Sequence, residues 1–176
     1  RELVSTLLNC TPIELIFTSS GTEGDNHAIK GLAYAQKSKG NHIITTKVEH
    51  PAVLSTCKHL QKEGFEVTYL DVDKDGLINI DELKNAITPK TILISVMYAN
   101  NETGVIFPIR EIGQIAKEKG VAFHTDAVQA AGKIKIDVNE LNVDLMTISG
   151  HKLYAPKGVG ALFIKRGTRL VPLIHG

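Results

Sequence analysis

Short apolar runs rich in β-branched residues alternate along the chain with longer segments of helical periodicity. Continuous apolar runs of about four to eight residues are typical of strands that are buried on both faces. Strands that alternate with helices predict an α/β fold with a mostly parallel sheet flanked by helices. The predicted strands are Glu14–Thr18, His42–Val48, Glu66–Leu70, Thr91–Tyr98, Val121–Thr125, Asp144–Ser149 and Gly160–Lys165.

Proline and asparagine positions support the helices between these strands. Pro51 and Pro108 stand where a first helical residue is favoured, and Asn79 with Glu82 is close to a capping box. Lysine followed by glycine closes three of the segments, as is common at helix ends. The predicted helices cover residues 25–38, 51–63, 79–87 and 108–119, and residues 1–8 match the middle of an amphipathic helix.

Composition narrows the class of protein. The chain has 176 residues, of which 43% are hydrophobic and 22% are charged, which fits one soluble globular domain. A net charge of +1 gives no reason to expect a nucleic acid or a membrane surface as partner. Cys10 and Cys57 are the two cysteines, too few for a disulfide framework, so we expect a reducing, cytoplasmic setting.

Both ends of the chain have the features of a fragment. Arg1 begins the chain without a methionine, and Gly176 ends it directly after an apolar run. We therefore expect residues 1–176 to be one domain of a longer protein, truncated at both ends.

Polar side chains follow five of the predicted strands at the point where each strand ends. Open parallel sheets bind ligands beyond the carboxyl ends of their strands, so these residues predict one shared pocket. Any one of these polar segments alone could equally be an ordinary loop that caps the end of a strand or helix. The segments are 19–26, 49–50, 100–104, 126–129 and 149–152.

Three of these segments offer complementary chemistry. Gly21 and Thr22 open a helix whose free N–H groups suit either a phosphate or a simple cap. Asp126 fits a helix cap or a partner for a buried cation, and Lys152 fits a surface lysine or an amine that attacks a carbonyl. Taken together, a phosphate cradle, a carboxylate and such a lysine are what pyridoxal 5'-phosphate requires.

Five ordered motifs carry a resemblance to a known family. The chain resembles the cysteine desulfurases among the class V, fold-type I pyridoxal-phosphate enzymes, above all the group that serves iron–sulfur cluster and nitrogenase assembly. The motifs are FTSSGTEGDN (17–26), VEHPAV (48–53), NNETG (100–104), HTDAVQ (124–129) and SGHKLYAPKGVGAL (149–162).

The resemblance implies that residues 1–176 are the large cofactor domain without the small C-terminal domain. It implies that Lys152 binds the cofactor covalently and, with His50, moves the substrate proton. Asp126 would pair with the pyridine nitrogen. His50 would also stack on the ring, Gln129 would contact the phenolic oxygen, Asn101 would lie near the ring and the substrate carboxylate, and Gly21, Thr22, Ser149 and His151 would hold the phosphate.

The implied reaction converts L-cysteine to L-alanine and leaves the sulfur as a persulfide on the enzyme. In the family, a downstream loop carries the attacking cysteine, and neither Cys10 nor Cys57 matches it. We therefore expect this chain to be inactive alone, and the whole protein to be a homodimer with a sulfur-acceptor or scaffold partner. The alternatives are another class V enzyme, such as an aminotransferase or a selenocysteine lyase, and a non-catalytic excised domain.

A calcium-binding module is the remaining alternative. Residues 71–82 (DVDKDGLINIDE) match the EF-hand loop in the positions of their acids and glycine. An EF-hand loop follows a helix, whereas the alternating segment Phe65–Leu70 predicts a strand. We expect a strand, a turn at Asp75-Gly76 and a helix there, and no metal site.

Overall fold

A seven-stranded sheet runs through the computed structural model, which describes residues 1–175 of the chain. The strand order is β1-β7-β6-β5-β4-β2-β3. Strands β2 to β6 pair with one another in parallel, and β7 is antiparallel to both β6 and β1. The predicted α/β class with a mostly parallel sheet is therefore confirmed. The strands are β1 (Leu15–Thr18), β2 (His42–Thr46), β3 (Glu66–Leu70), β4 (Thr91–Ser95), β5 (Ala122–Asp126), β6 (Leu145–Ser149) and β7 (Gly160–Ile164).

Within residues 1–175, six α-helices accompany the strands. Most of them connect successive parallel strands, since a parallel pair needs a crossover connection. Between β6 and β7 the chain forms only a 3-10 turn, Gly150–Leu153, so β7 returns antiparallel. The helices are α1 (Glu2–Leu8), α2 (Gly21–Gln36), α3 (Pro51–Lys62), α4 (Ile80–Ala86), α5 (Ile109–Lys119) and α6 (Val138–Leu141), and a second 3-10 turn covers Pro12–Glu14.

Two predicted helices begin at a different residue in the structure, and one further helix was not predicted. Helix α2 begins at Gly21 and not at residue 25, because the Ser20 hydroxyl caps it by accepting from the Glu23 N–H at 3.1 Å. Pro108 caps α5 from outside instead of being its first residue. Helix α6 was not predicted, since four residues are too few to show a helical period.

Apolar side chains alternate between the two faces of the sheet. Helices α2 and α3 pack over one face, where Ile43, Leu93 and Leu145 are fully buried. The next residues along β2 and β4, Ile44 and Ile94, point to the opposite face and pack with α5. Burial on both faces explains why the sequence shows continuous apolar runs here.

Two glycines bring α2 unusually close to the sheet. A Cβ atom at Gly24 would lie 2.7 Å from Cγ2 of Thr147 on β6, and one at Gly21 would lie 2.8 Å from Cγ2 of Val128. The absence of both side chains therefore lets the N-terminus of α2 contact the carboxyl ends of β5 and β6.

The segment that resembles an EF-hand is a strand followed by a turn and a helix. Strand β3 enters it, and Val72 pairs with Ile78 in an antiparallel bridge across the turn. Asn79 caps α4 by accepting from the N–H groups of Asp81 and Glu82. Among the described residues, no helix is long and apolar enough to cross a membrane.

Candidate active site

A cavity of about 160 Å³ opens at the carboxyl ends of the parallel strands. Segments that follow β1, β2, β4, β5 and β6 all contribute to its wall, as expected for ligand sites in open α/β sheets. Eight of the nine residues singled out in the sequence line it: Gly21, Thr22, His50, Asn101, Asp126, Gln129, Ser149 and His151.

The first turn of α2 forms one end of the cavity. The N–H groups of Gly21 and Thr22 belong to this turn and have no carbonyl partner within the helix. The Ser149 side chain faces Gly21, and its hydroxyl lies 2.8 Å from Nδ1 of His151. N–H groups, a hydroxyl and an imidazole thus surround one point at the positive end of a 16-residue helix, which suits a phosphate group.

His50 lies at the cap position of α3. Its Nδ1 accepts a hydrogen bond from the Ala52 N–H at 3.1 Å. This bond fixes the direction of the ring and assigns the proton of the neutral imidazole to Nε2. The imidazole is therefore a rigid part of the cavity wall, able to contact a flat ligand.

Asp126 ends β5 and is 6% exposed. Its Oδ1 accepts from the Val128 N–H at 2.9 Å, and its backbone carbonyl accepts from the Tyr98 N–H. Burial raises the pKa of the Asp126 carboxyl, while the Val128 N–H and the His50 imidazole act in the opposite direction. Because Asp126 also lines the cavity, its carboxyl group can meet a cationic donor there.

Lys152 is the one singled-out residue that does not line the cavity. It directly follows His151 in the 3-10 turn Gly150–Leu153 and is half-buried. The turn is closed by Tyr154, which adopts a left-handed conformation with φ 60°, and by a hydrogen bond from the Ala155 N–H to the Gly150 carbonyl. Lys152 is thus tethered at the border of the cavity, and its role stays a prediction.

Sequence reasoning assigned no role to a group of buried ionisable residues behind the cavity. Asp25 on α2 is 1% exposed and also lines the cavity wall. Glu49 precedes His50 and is buried, and His124 on β5 is fully buried. The sequence contains one indication that Asp25 is buried. Helical spacing places Asp25 on the same face of α2 as the small residues Gly21 and Ala28.

Glu49 and His124 are held by neighbouring polar atoms. Oε1 of Glu49 accepts from the Met97 N–H and the Thr46 hydroxyl, both at 2.9 Å, and burial raises the pKa of Glu49 to about 8. The two ring nitrogens of His124 contact the hydroxyls of Ser95 and Thr147 at 2.9 and 3.1 Å. Burial lowers the pKa of His124 to about 3, so the ring is neutral.

Neither cysteine has the properties of a nucleophile. Cys57 is fully buried on α3, and burial raises the pKa of its thiol to about 12. Cys10 is half-buried after α1, and burial raises its pKa to about 11. Because the thiolate is the reactive form and neither residue lines the cavity, both thiols are unsuited to attack a ligand there.

The wall of the cavity fits pyridoxal 5'-phosphate. It offers an anion site at the N-terminus of α2, a carboxylate at Asp126 for a ring nitrogen, and a planar side chain at His50. A Cβ atom at Gly21 would fill the space beside Val128 and Ser149, so the anion site at the N-terminus of α2 requires a glycine here.

Known proteins resemble the chain over its whole length. Cysteine desulfurase IscS of Clostridium botulinum strain Hall is 60% identical over 176 residues, and IscS of Methanosarcina thermophila is 57% identical. Both alignments cover 100% of this chain and 44% of the relative. The chain therefore spans less than half the length of these curated relatives.

Solved structures agree with this result. A protein described as SspA in complex with cysteine has a TM-score of 0.96 and 45% identity, and the match covers 99% of this chain and 51% of that one. A NifS-like protein has a TM-score of 0.96 and 42% identity, with 99% and 48% covered. The family model described as aminotransferase class V matches residues 1–176. Enzymes of this family depend on pyridoxal 5'-phosphate, and the chain belongs to the aminotransferase class-V family.

Proposed function

We propose that residues 1–176 are the large cofactor-binding domain of a pyridoxal-phosphate-dependent cysteine desulfurase. The observation that carries the proposal is the meeting of the α2 N-terminus, His50 and Asp126 in one cavity, with Lys152 tethered at its border. The relatives named cysteine desulfurase support this activity over the other reactions of class V enzymes. A related structure that was solved in complex with cysteine supports L-cysteine as the substrate.

In this proposal, one set of polar groups in the cavity binds the cofactor. Gly21, Thr22, Ser149 and His151 bind the phosphate. Asp126 binds the ring nitrogen. The bound cofactor supplies an electron sink for cleavage of bonds at the substrate.

The remaining polar groups orient the ligands and move protons. His50 lies against the ring, Gln129 orients its phenolic oxygen, and Asn101 orients the substrate carboxylate. Lys152 anchors the cofactor covalently and then moves the substrate Cα proton with its Nζ, assisted by His50.

The sulfur leaves the substrate by transfer to a thiol of the enzyme. The Cβ–S bond of L-cysteine breaks and an S–S bond to that thiol forms, which gives L-alanine and a persulfide. Because Cys10 and Cys57 have raised pKa values and lie outside the cavity wall, we assign the attacking thiol to another part of a longer protein.

Further parts of the proposal concern the assembly. We propose a homodimer, as the resemblance to the cysteine desulfurases implies. We propose a sulfur-acceptor or scaffold protein as partner and a cytoplasmic location. The two free cysteines fit a reducing compartment.

Cofactor binding by the chain tests the central claim. The purified protein is mixed with pyridoxal phosphate, freed of excess cofactor, reduced with borohydride and digested for mass analysis. We expect a visible absorption band, about one equivalent of retained cofactor, and a covalent adduct on the peptide that contains Lys152.

Lys152→Ala is compared with Lys157→Ala, which removes an exposed lysine from the same loop. We expect the adduct to be lost in the first variant and kept in the second. An adduct of equal yield in Lys152→Ala would refute the anchoring role, and a folded protein that retains no cofactor would refute the proposal as a whole. With L-cysteine, the loaded chain should form no appreciable alanine, and sustained turnover would refute the assignment of the thiol to another segment.

A further inference from the structure

The floor of the cavity contains two carboxyl groups from different elements. Asp25 comes from α2 and Asp126 from the end of β5, and both line the cavity while being 1% and 6% exposed. The two carboxyl groups are close enough to act on each other, since the Asp126 carboxylate helps to raise the pKa of Asp25. Carboxylates repel each other when buried in contact, so such a pair holds one proton between its two members.

The surroundings decide how much charge the pair carries. Three ionisable side chains face it, namely Glu49, His124 and His50. Nε2 of His124 lies 3.6 Å from Oδ1 of Asp25, but this ring is neutral because burial lowers its pKa to about 3. Glu49 is a further acid, so the buried residues that the structure describes around the pair provide no cation for a second negative charge.

The position of the shared proton follows from the partners of each carboxyl. Asp126 accepts from the Val128 N–H at 2.9 Å, and the His50 imidazole lies near it, which favours its ionised form. Oδ1 of Asp25 has no hydrogen-bond partner among the described residues. Burial, together with the Asp126 carboxylate, raises the pKa of Asp25 well above its usual range and outweighs the Thr147 side chain, which acts in the opposite direction. The proton therefore belongs on Asp25.

We propose that Asp25 is a positioning residue that, in its protonated form, donates a hydrogen bond to Asp126 and so holds Asp126 ionised and turned towards the cavity. This inference rests on the proposed function for the identity of the ligand, whose ring nitrogen Asp126 then meets. Without the donor, burial would favour the neutral form of Asp126, which is a poorer partner for a protonated ring nitrogen.

The test compares two substitutions that differ in one property. Asp25→Asn keeps the size of the side chain and a neutral N–H donor, whereas Asp25→Leu keeps a similar size without a donor. Asp81→Asn, an exposed position in the first turn of α4, is the matched control. Circular dichroism establishes that each variant is folded, and Asp25→Ala, which also lacks a donor, is the replacement for Asp25→Leu if that variant does not fold.

The readout is the titration of the carboxyl carbons by ¹³C NMR in protein without cofactor, with Asp126→Asn used for assignment. In the parent protein we expect two well-separated steps, of which the lower belongs to Asp126. Asp25→Asn should keep the acidity of Asp126 within about twofold, and Asp25→Leu should weaken it by about tenfold or more. Cofactor affinity should follow the same order.

Two results would overturn the inference: a lower step that belongs to Asp25, or equal effects of Asp25→Asn and Asp25→Leu on Asp126. The latter result would show that Asp25 acts by filling space. Because the titration uses protein without cofactor, it gives its answer even where pyridoxal phosphate fails to bind, so the failure of the proposed function is recognised separately.

Discussion

Glu49 should make the stability of this protein fall as pH rises. Its side chain is buried behind the cavity, where Oε1 accepts two hydrogen bonds and Oε2 has no partner among the described residues. Burial raises the pKa of Glu49 from 4.5 to about 8, although the Met97 N–H and the Thr46 hydroxyl oppose the shift. In the unfolded chain, the same carboxyl is solvated and ionises near its ordinary value.

The sign and the size of the effect follow from this difference. Between about pH 5 and pH 8 the unfolded state loses the Glu49 proton and the folded state keeps it, so rising pH favours unfolding. The stabilising contribution is complete below about pH 4.5 and is lost as pH rises towards 8. At about 1.4 kcal/mol per pH unit, the loss between pH 5.5 and 8 is about 3 kcal/mol.

Glu49→Gln isolates this contribution. Glutamine keeps the acceptor for Met97 and Thr46 and does not ionise, while its new N–H₂ group lacks a partner and lowers stability by about 1–3 kcal/mol at every pH. Urea unfolding from pH 5.5 to 8.5 should therefore show the stability difference moving in favour of the variant by about 3 kcal/mol. Glu102→Gln, at an exposed position, is the control and should show no such trend. A difference that is independent of pH would refute the claim that folding keeps Glu49 protonated.

Two further predictions concern packing. Gly113→Ala would place a Cβ atom 1.9 Å from the Leu141 carbonyl oxygen. Urea unfolding should therefore show a free energy of unfolding that is lower by about 3 kcal/mol. The control Gln114→Ala, at the exposed neighbouring position, should lower it by about 0.5 kcal/mol or less. Equal values would contradict this close contact of α5 with the end of α6. In Cys10→Ser, iodoacetamide should modify Cys57 only at denaturant concentrations that unfold the protein, because the thiol is buried and its pKa is raised to about 12. Rapid modification of the folded variant would contradict that burial.

The α/β class could be predicted because buried parallel strands have a distinctive composition. All residues of β2, β4 and β6 are buried, so the chain shows apolar runs there without alternation. The start of α2 could not be predicted in the same way. Gly21 and Gly24 are weak helix formers, and their advantage, close contact with Val128 and Thr147, exists only in the folded protein.

The candidate site, too, could be predicted from the sequence only in part. Residues that follow strand ends could be grouped in advance, because parallel strands bring their carboxyl ends to one edge. Asp25, by contrast, meets Asp126 only through the packing of α2 against the sheet, and Glu49 reaches the Met97 N–H only because β2 and β4 are neighbours. Strand order and helix packing are set by long-range contacts, which a single sequence does not display.

The segment 71–82 shows how a motif and a structure can disagree, and it allows a last prediction. Oδ1 of Asp73 accepts from the N–H groups of Asp75 and Leu77 at 2.8 and 3.0 Å, and Asp71 pairs with Lys47 at 2.7 Å. These bonds direct acidic oxygens of the motif to the chain itself instead of to an ion, which would need six to eight oxygen ligands.

Calorimetry should therefore show no micromolar calcium binding. Asp73→Ala should lower the free energy of unfolding by about 1–2 kcal/mol equally in calcium and in chelator, since a turn bond is lost and not an ion site. Asp75→Ala, whose exposed side chain holds no such bond among the described residues, should have little effect in either solution. A calcium-dependent gain in stability that both substitutions abolish would show that these acids are ligands, and that the turn rearranges around the ion.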